Sequence, residues 1–87
     1  MWIVELSLTA TPERSAARPA HRDRLAALHD KGVVRMAGPF DDDTGALIIV
    51  DVEERAGVDA LIADDPYFRT PGVEVVGIRC WRPFLGR

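Results

Sequence analysis

Four segments of the sequence combine apolar and β-branched residues over lengths that are typical of β-strands. They cover residues 2–9 (WIVELSLT), 33–40, 46–52 and 73–83. Such runs, bounded by turn-forming residues, predict strands. The acidic stretch Asp41–Gly45 (DDDTG) separates the second strand from the third and predicts a hairpin turn.

The first helix is expected between the first and second strands. Thr11 followed by Pro12 is typical of a capped helical turn. Proline is best tolerated at the first position of a helix, so Pro19 predicts the start of a new helix that runs to Lys31. Gly32 is expected to end this helix.

A second helix is expected over 54–64, between the third and fourth strands. It should end before Pro66, because the residue that precedes a proline disfavours the helical conformation. The segment 67–72 (YFRTPG) is expected to be a turn. The chain is therefore predicted to be one βαββαβ domain over residues 1–87. This order predicts an α+β fold, the ferredoxin-like plait, in which a four-stranded antiparallel sheet carries two helices on one face.

The predicted sheet has apolar residues on both faces. The third strand contains the unbroken apolar run ALIIV. The fourth strand is predicted to alternate Val76, Ile78 and Cys80 on one side with Val73, Val75 and Trp81 on the other. A sheet with two apolar faces needs a second cover. We therefore expect a homodimer, or a higher oligomer, that pairs through the sheet.

Composition narrows the class of protein. The chain has 87 residues, 47% of them hydrophobic and 29% charged, as expected for one globular domain. No apolar run approaches the ~18 residues of a membrane span, and a net charge of −3 argues against nucleic acid as a partner. Cys80 is the single cysteine, which excludes an intrachain disulfide and a paired-cysteine site. A cytoplasmic protein is expected.

His21 is the first candidate for chemistry. In a helix that begins at Pro19, His21 shares one stripe with Leu25 and Leu28 and faces the sheet. The first helical turn favours neutral imidazole, the form that a general base needs. The alternative is a histidine at the edge of the core with a satisfied hydrogen bond, and position alone favours this alternative.

Asp65 continues the apolar stripe of the second helix. Burying an unpaired carboxylate is costly, so a partner is expected. His21 on the neighbouring helix is a suitable partner, because an aspartate can fix the tautomer of an imidazole. The alternative is that Asp65 caps its own turn by accepting a backbone N–H from Tyr67 or Phe68.

The other candidates are weaker. Four arginines surround the start of the first helix and could attract an anion, although a solvated helix face is the favoured interpretation; they are Arg14, Arg18, Arg22 and Arg24. The acidic turn lacks the spacing of a calcium loop. His29 lies about 12 Å from His21 along the helix, too far to share a metal. Ser7 is the one strand serine that could join His21 and Asp65 in a triad, but it lacks the surroundings of a nucleophilic serine. Neither a metal nor a cofactor is expected.

Two motifs resemble the YciI-like (YCII-related) family. They are Arg18-Pro19-Ala20-His21, followed by Gly38-Pro39, and Ala63-Asp64-Asp65-Pro66-Tyr67. The resemblance spans nearly the whole chain. It implies a ferredoxin-like fold that dimerises through its sheets, as in the dimeric α+β barrel superfamily. It also implies an enzyme with a His–Asp pair in a cleft, which maps onto His21 and Asp65. One relative is a chloromuconolactone dehalogenase.

The expected function is cofactor-independent acid/base chemistry on a small carbonyl or lactone compound. His21 would be the general base or acid, and Asp65 would orient it. The expected substrate-binding wall comprises Gly38, Pro39, Phe40 and Tyr67, with Arg18 nearby to attract an anion. The reaction type, an isomerisation or a hydrogen-halide elimination, is implied by the resemblance alone.

Two other functions remain open. In one, the protein is a non-catalytic binding or assembly module, and the His–Asp pair ties the helices together. In the other, it is a haem or quinone-type monooxygenase on the same fold, for which the sequence offers no axial-ligand context.

Overall fold

The computed structural model describes residues 1–86 and contains one four-stranded sheet. The elements are β1 (Trp2–Leu8), α1 (Pro12–Asp30), β2 (Val34–Pro39), β3 (Gly45–Val50), α2 (Arg55–Asp64), a 3₁₀ helix (Pro66–Arg69) and β4 (Val73–Cys80). All neighbouring strands are antiparallel, in the order β2-β3-β1-β4. The predicted α+β plait is confirmed. Within the described residues, no helix has the length and apolar character needed to cross a membrane.

Helix α1 begins seven residues earlier than predicted, at Pro12 rather than Pro19. The hydroxyl of Thr11 caps it by accepting the backbone N–H of Arg14 at 3.0 Å. Pro19 lies inside the helix, where it removes the hydrogen bond to the carbonyl of Ser15. Both Pro19 and Ser15 are exposed, so water can satisfy that carbonyl. The two predicted helical segments are therefore one helix.

The core lies on the face of the sheet that the helices cover. Cα pairing places Val4 of β1 between Ile48 of β3 and Ile78 of β4, and Leu6 lies in the adjacent row. Val58 of α2 is also fully buried. Burying a valine, leucine or isoleucine side chain contributes roughly 1.5–3 kcal/mol, so this small cluster supplies much of the stability.

A β-bulge in β4 changes the predicted facing of that strand. Leu6 pairs with Val75 and Glu5 pairs with Gly77, which leaves Val76 without a partner. The extra residue resets the alternation, so Val75 and Ile78 share the covered face. The prediction that they face opposite sides was wrong, because strict alternation does not anticipate a bulge.

Several element ends also differ from the prediction. β3 ends at Val50 and β4 at Cys80, two and three residues earlier than expected. Part of the expected turn at 67–72 is the 3₁₀ helix that begins at Pro66. This short helix places two aromatic side chains, Tyr67 and Phe68, in the core.

Candidate active site

A cavity of about 600 Å³ lies between α1 and the strands β1, β2 and β3. Its floor includes apolar side chains such as Leu6, Val34 and Ile48, and one wall is formed by α1. Tyr67 of the 3₁₀ helix closes one side. The cavity is large enough for a small organic molecule.

His21 lies on the wall that α1 provides. The residue is only 7% exposed and lines the cavity. It lies in the middle of α1 rather than in its first turn, because the helix begins at Pro12. The expectation that the helix N-terminus acts on this imidazole was therefore wrong, since that effect is confined to the first turn.

The structure brings His21 and Asp65 into direct contact. Nδ1 of His21 lies 2.6 Å from Oδ2 of Asp65, and Asp65 is 3% exposed. The ring of Tyr67 stacks on the imidazole with centroids 3.9 Å apart and an interplanar angle of 14°. The ring of Phe68 meets it edge-on at 5.5 Å. A hydrogen bond and two aromatic contacts thus fix the orientation of the imidazole.

The chain positions Asp65 by changing from one helix to another. α2 ends at Asp64, and Asp65 adopts an extended conformation before Pro66 starts the 3₁₀ helix. Oδ1 of Asp65 accepts the backbone N–H of Tyr67 at 3.0 Å. The two alternatives for Asp65 therefore both hold, because one carboxylate oxygen caps the turn while the other contacts His21.

Two arginines support this arrangement. NH1 of Arg24 lies 3.4 Å from Oδ1 of Asp65, which adds a partly exposed cation to the buried carboxylate. Arg69 donates to the carbonyls of Ile62 and Ala63 at 3.2 and 3.1 Å and so ties the 3₁₀ helix to the last turn of α2. Both oxygens of the buried carboxylate have hydrogen-bond partners, as burial of a charge requires.

The geometry defines which ring nitrogen can act on a ligand. An ionised Asp65 accepts a hydrogen bond, so Nδ1 of His21 carries the proton. The hydrogen bond of His21 to the described residues uses Nδ1 and leaves Nε2 available. In the neutral ring Nε2 therefore has a free lone pair, which can accept a proton from a molecule in the cavity.

Most of the predicted binding residues lie around the cavity. Arg18, Gly38, Pro39 and Tyr67 line it together with His21. Asp65 does not line it and contacts His21 instead. Phe40 is not among the lining residues; it is 41% exposed and packs against Gly45.

Ser7 is excluded from this site by the sheet. It is exposed, and its pairing with Gly45 and Glu74 places it on the uncovered face. A triad of Ser7 with His21 and Asp65 is therefore not formed.

The burial of Arg14 was not predicted from the sequence. This residue is 5% exposed and lines the cavity, although we expected a solvated arginine. Interaction with the Tyr67 side chain is the main influence that raises the pKa of Arg14 above its ordinary value, and Asp43 adds to it against the effect of burial. Arg14 precedes His21 by seven residues, which places both on one stripe of α1. With a helix that begins at Pro12, this spacing predicts that Arg14 and His21 lie on the same face.

Arginine is the prevailing charged residue of the cavity wall. The wall contains four arginines and one aspartate, namely Arg14, Arg18, Arg22, Arg35 and Asp43. The chain as a whole carries a net charge of −3, whereas the charged residues of this wall are mostly positive. Such a wall favours an anionic ligand. Within residues 1–86, no group of three or more histidine, cysteine or acidic residues could hold a metal ion.

Comparisons with known proteins agree with the fold. The sequence profile of the YCII-related domain matches residues 2–82. One similar structure is 5-chloro-2-hydroxyhydroquinone dehydrochlorinase (TftG) from Burkholderia phenoliruptrix AC1100, in complex with 2,5-dihydroxybenzoquinone. The match has a TM-score of 0.58 at 18% identity and covers 94% of each chain. No curated protein gives a significant sequence match.

The contact between His21 and Asp65 predicts one tautomer. In its neutral form, His21 should carry its proton on Nδ1, and Asp65→Ala should shift the proton toward Nε2, because the acceptor is lost. Two-bond ¹H–¹⁵N correlation spectra distinguish the two forms. His29, whose Nδ1 lies 2.9 Å from the carbonyl of Val34, provides an internal control that should not change. An Nε2-protonated His21 in the wild type would contradict this prediction.

Proposed function

The chain belongs to the YCII-related family, and we propose that it is a small cofactor-independent enzyme. In this proposal a His–Asp pair performs general acid/base chemistry on a small anionic carbonyl or lactone compound. The name of the dehydrochlorinase, and the dihydroxybenzoquinone bound to it, support a small oxygen-rich ring as the class of substrate. The single cysteine fits a cytoplasmic enzyme.

One observation carries the proposal: a buried imidazole on the wall of the cavity is hydrogen-bonded to a buried carboxylate. The 2.6 Å contact between Nδ1 of His21 and Oδ2 of Asp65 leaves Nε2 for the ligand. A positioned base of this kind contributes typically ~10²–10⁴-fold to a rate. Tyr67 keeps the ring in place by stacking.

The proposed reaction begins with removal of a proton from a carbon beside a carbonyl. Nε2 of His21 takes the proton, the electrons of the C–H bond form an enolate, and Asp65 stabilises the resulting imidazolium. In an isomerisation, His21 returns the proton to another carbon of the enolate. In an elimination, the electrons of the enolate expel a halide ion from a neighbouring carbon.

The remaining residues bind rather than react. Arg18 attracts an anionic group, and Gly38 and Pro39 form part of the cavity wall. The ring of Tyr67 offers a flat face and a hydroxyl to a small ring compound. Phe40 has no role in this proposal.

A second candidate is a non-catalytic module. The observation in its favour is the cap that Asp65 provides to the 3₁₀ helix, since a structural carboxylate makes the same hydrogen bond to Tyr67. In this case His21 and Asp65 tie α1 to the 3₁₀ helix. His21→Ala should then lower stability and leave ligand affinity unchanged.

Activity distinguishes the two candidates. Wild-type protein should turn over a lactone or a chlorinated hydroxyhydroquinone, and His21→Ala should lower kcat by roughly 10²–10⁴-fold because the base is lost. His29→Ala, which removes the other imidazole of the cavity, is the matched control and should retain most activity. Equal rates in wild type and His21→Ala would exclude His21 as the base.

We also propose that two copies pair through the uncovered face of the sheet. A row of Met36, Ile49 and Ile3 crosses this face, with Leu47 in the next row. Met36 is 71% exposed, which is unusual for a large apolar residue in a strand. Burying this face against its copy would remove these side chains from water.

Sedimentation tests the proposed pairing. Wild-type protein should sediment as a dimer, and Ile49→Lys should be a monomer, because two buried lysines would face the interface. Ala60→Lys makes the same change of charge on the exposed surface of α2 and should remain dimeric. A folded Ile49→Lys variant that is still dimeric would place the interface elsewhere.

A further inference from the structure

Arg14 is a buried cation with incomplete partners. Its side chain is 6% exposed, and its Nε donates to the carbonyl oxygen of Thr9 at 3.0 Å. The one carboxylate near it is Asp43, whose Oδ2 lies 3.5 Å from NH2 of Arg14, at the limit of a hydrogen bond. Among the described residues this is the longest of the ion pairs.

The backbone holds this guanidinium in a fixed direction. The N–H of Thr9 donates to the carbonyl of Gly72 at 2.8 Å. This bond fixes Thr9, whose own carbonyl accepts from Arg14, beside the residue that precedes β4. Gly72 has a φ of +94°, and a Cβ there would lie 2.5 Å from the oxygen of Thr9. Only glycine permits this approach. Because Nε is occupied, the terminal nitrogens of Arg14 are the atoms left for the cavity.

Asp43 is a weak partner for such a cation. Its side chain is 57% exposed, and it lies in the hairpin turn with a φ of +60°. An exposed carboxylate at the limit of bonding distance compensates little of the cost of burying a guanidinium. A ligand carrying an oxyanion would compensate more, because charge-assisted hydrogen bonds are short and strong.

We propose that Arg14 binds the anionic group of the substrate and that Asp43 occupies this position only until the substrate arrives. The assignment rests on the proposed function, in that the same cavity holds the substrate. Arginine binds planar oxyanions with paired N–H groups, so the ligand class is a carboxylate, an enolate or a phenolate. Arg14 is thus a specificity-determining residue.

Tyr67 relates the anion site to the base. Its ring stacks on His21, and its side chain is the main influence that raises the pKa of Arg14. Arg14 and His21 lie seven residues apart on one stripe of α1, about 10 Å along the helix axis. A substrate that reaches both carries its anionic oxygen and its reacting carbon within one small ring or conjugated chain.

Benzoate, with benzamide as its neutral isostere, tests this assignment. In NMR titrations of the wild type, benzoate should shift the signals of Arg14 and Tyr67 saturably, and benzamide should not. Arg14→Gln should weaken benzoate binding about ten-fold or more, because a charge-assisted pair is lost. Arg55→Gln removes an exposed arginine of α2 and should bind as the wild type does.

A second variant keeps the test valid if Arg14→Gln does not fold. Asp43→Asn removes the competing carboxylate, and asparagine accepts the left-handed backbone. Benzoate should bind several-fold more tightly to Asp43→Asn than to the wild type. Asp41→Asn makes the same change of charge in the same turn and should tighten binding less.

The outcomes separate this assignment from the proposed function. His21→Ala should retain benzoate binding even where it abolishes turnover, and benzoate binding would stand if turnover did not depend on His21. Wild-type affinity in folded Arg14→Gln would overturn the assignment. Equal effects of Asp43→Asn and Asp41→Asn, or no saturable benzoate shifts in the wild type, would overturn it too.

Discussion

The carboxylate of Asp65 joins parts of the molecule that would otherwise be independent. One oxygen caps the 3₁₀ helix through the N–H of Tyr67, and the other contacts Nδ1 of His21 on α1. The cap places the ring of Tyr67, and that ring then stacks on His21. The orientation of the imidazole and the shape of one cavity wall therefore depend on the same buried charge.

Burial of polar groups is concentrated at this cavity. The buried charged or polar side chains among residues 1–86 are Arg14, His21 and Asp65. Each one costs free energy in a domain whose buried core is small. Arg14 and His21 line the cavity, and Asp65 contacts His21. A fold selected for stability alone would replace such groups with apolar ones. Their concentration around one cavity supports the proposal that this cavity binds a ligand.

The sequence pattern predicts the element order and the sheet because apolar residues recur at strand spacing in the strands and at helical spacing in the helices. It also indicates His21 as a suitable partner for Asp65, since both continue apolar helix stripes. The sequence pattern fails at two places. Pro19 is tolerated inside α1 because it lies on an exposed helix face, and a bulge at Val76 shifts the alternation of inward and outward side chains in β4. The late start assigned to α1 excluded Arg14 from the His21 stripe, so its burial was missed.

Reaction with diethyl pyrocarbonate tests most directly whether Asp65 presents a reactive Nε2 of His21 to the cavity. The chain has two histidines, so peptide mass analysis resolves them. His21 should be acylated at Nε2, and the rate should fall several-fold in Asp65→Asn while the rate of His29 stays the same, because the carboxylate keeps the proton on Nδ1. An unreactive His21 in folded wild-type protein, or equal rates in both proteins, would contradict the account.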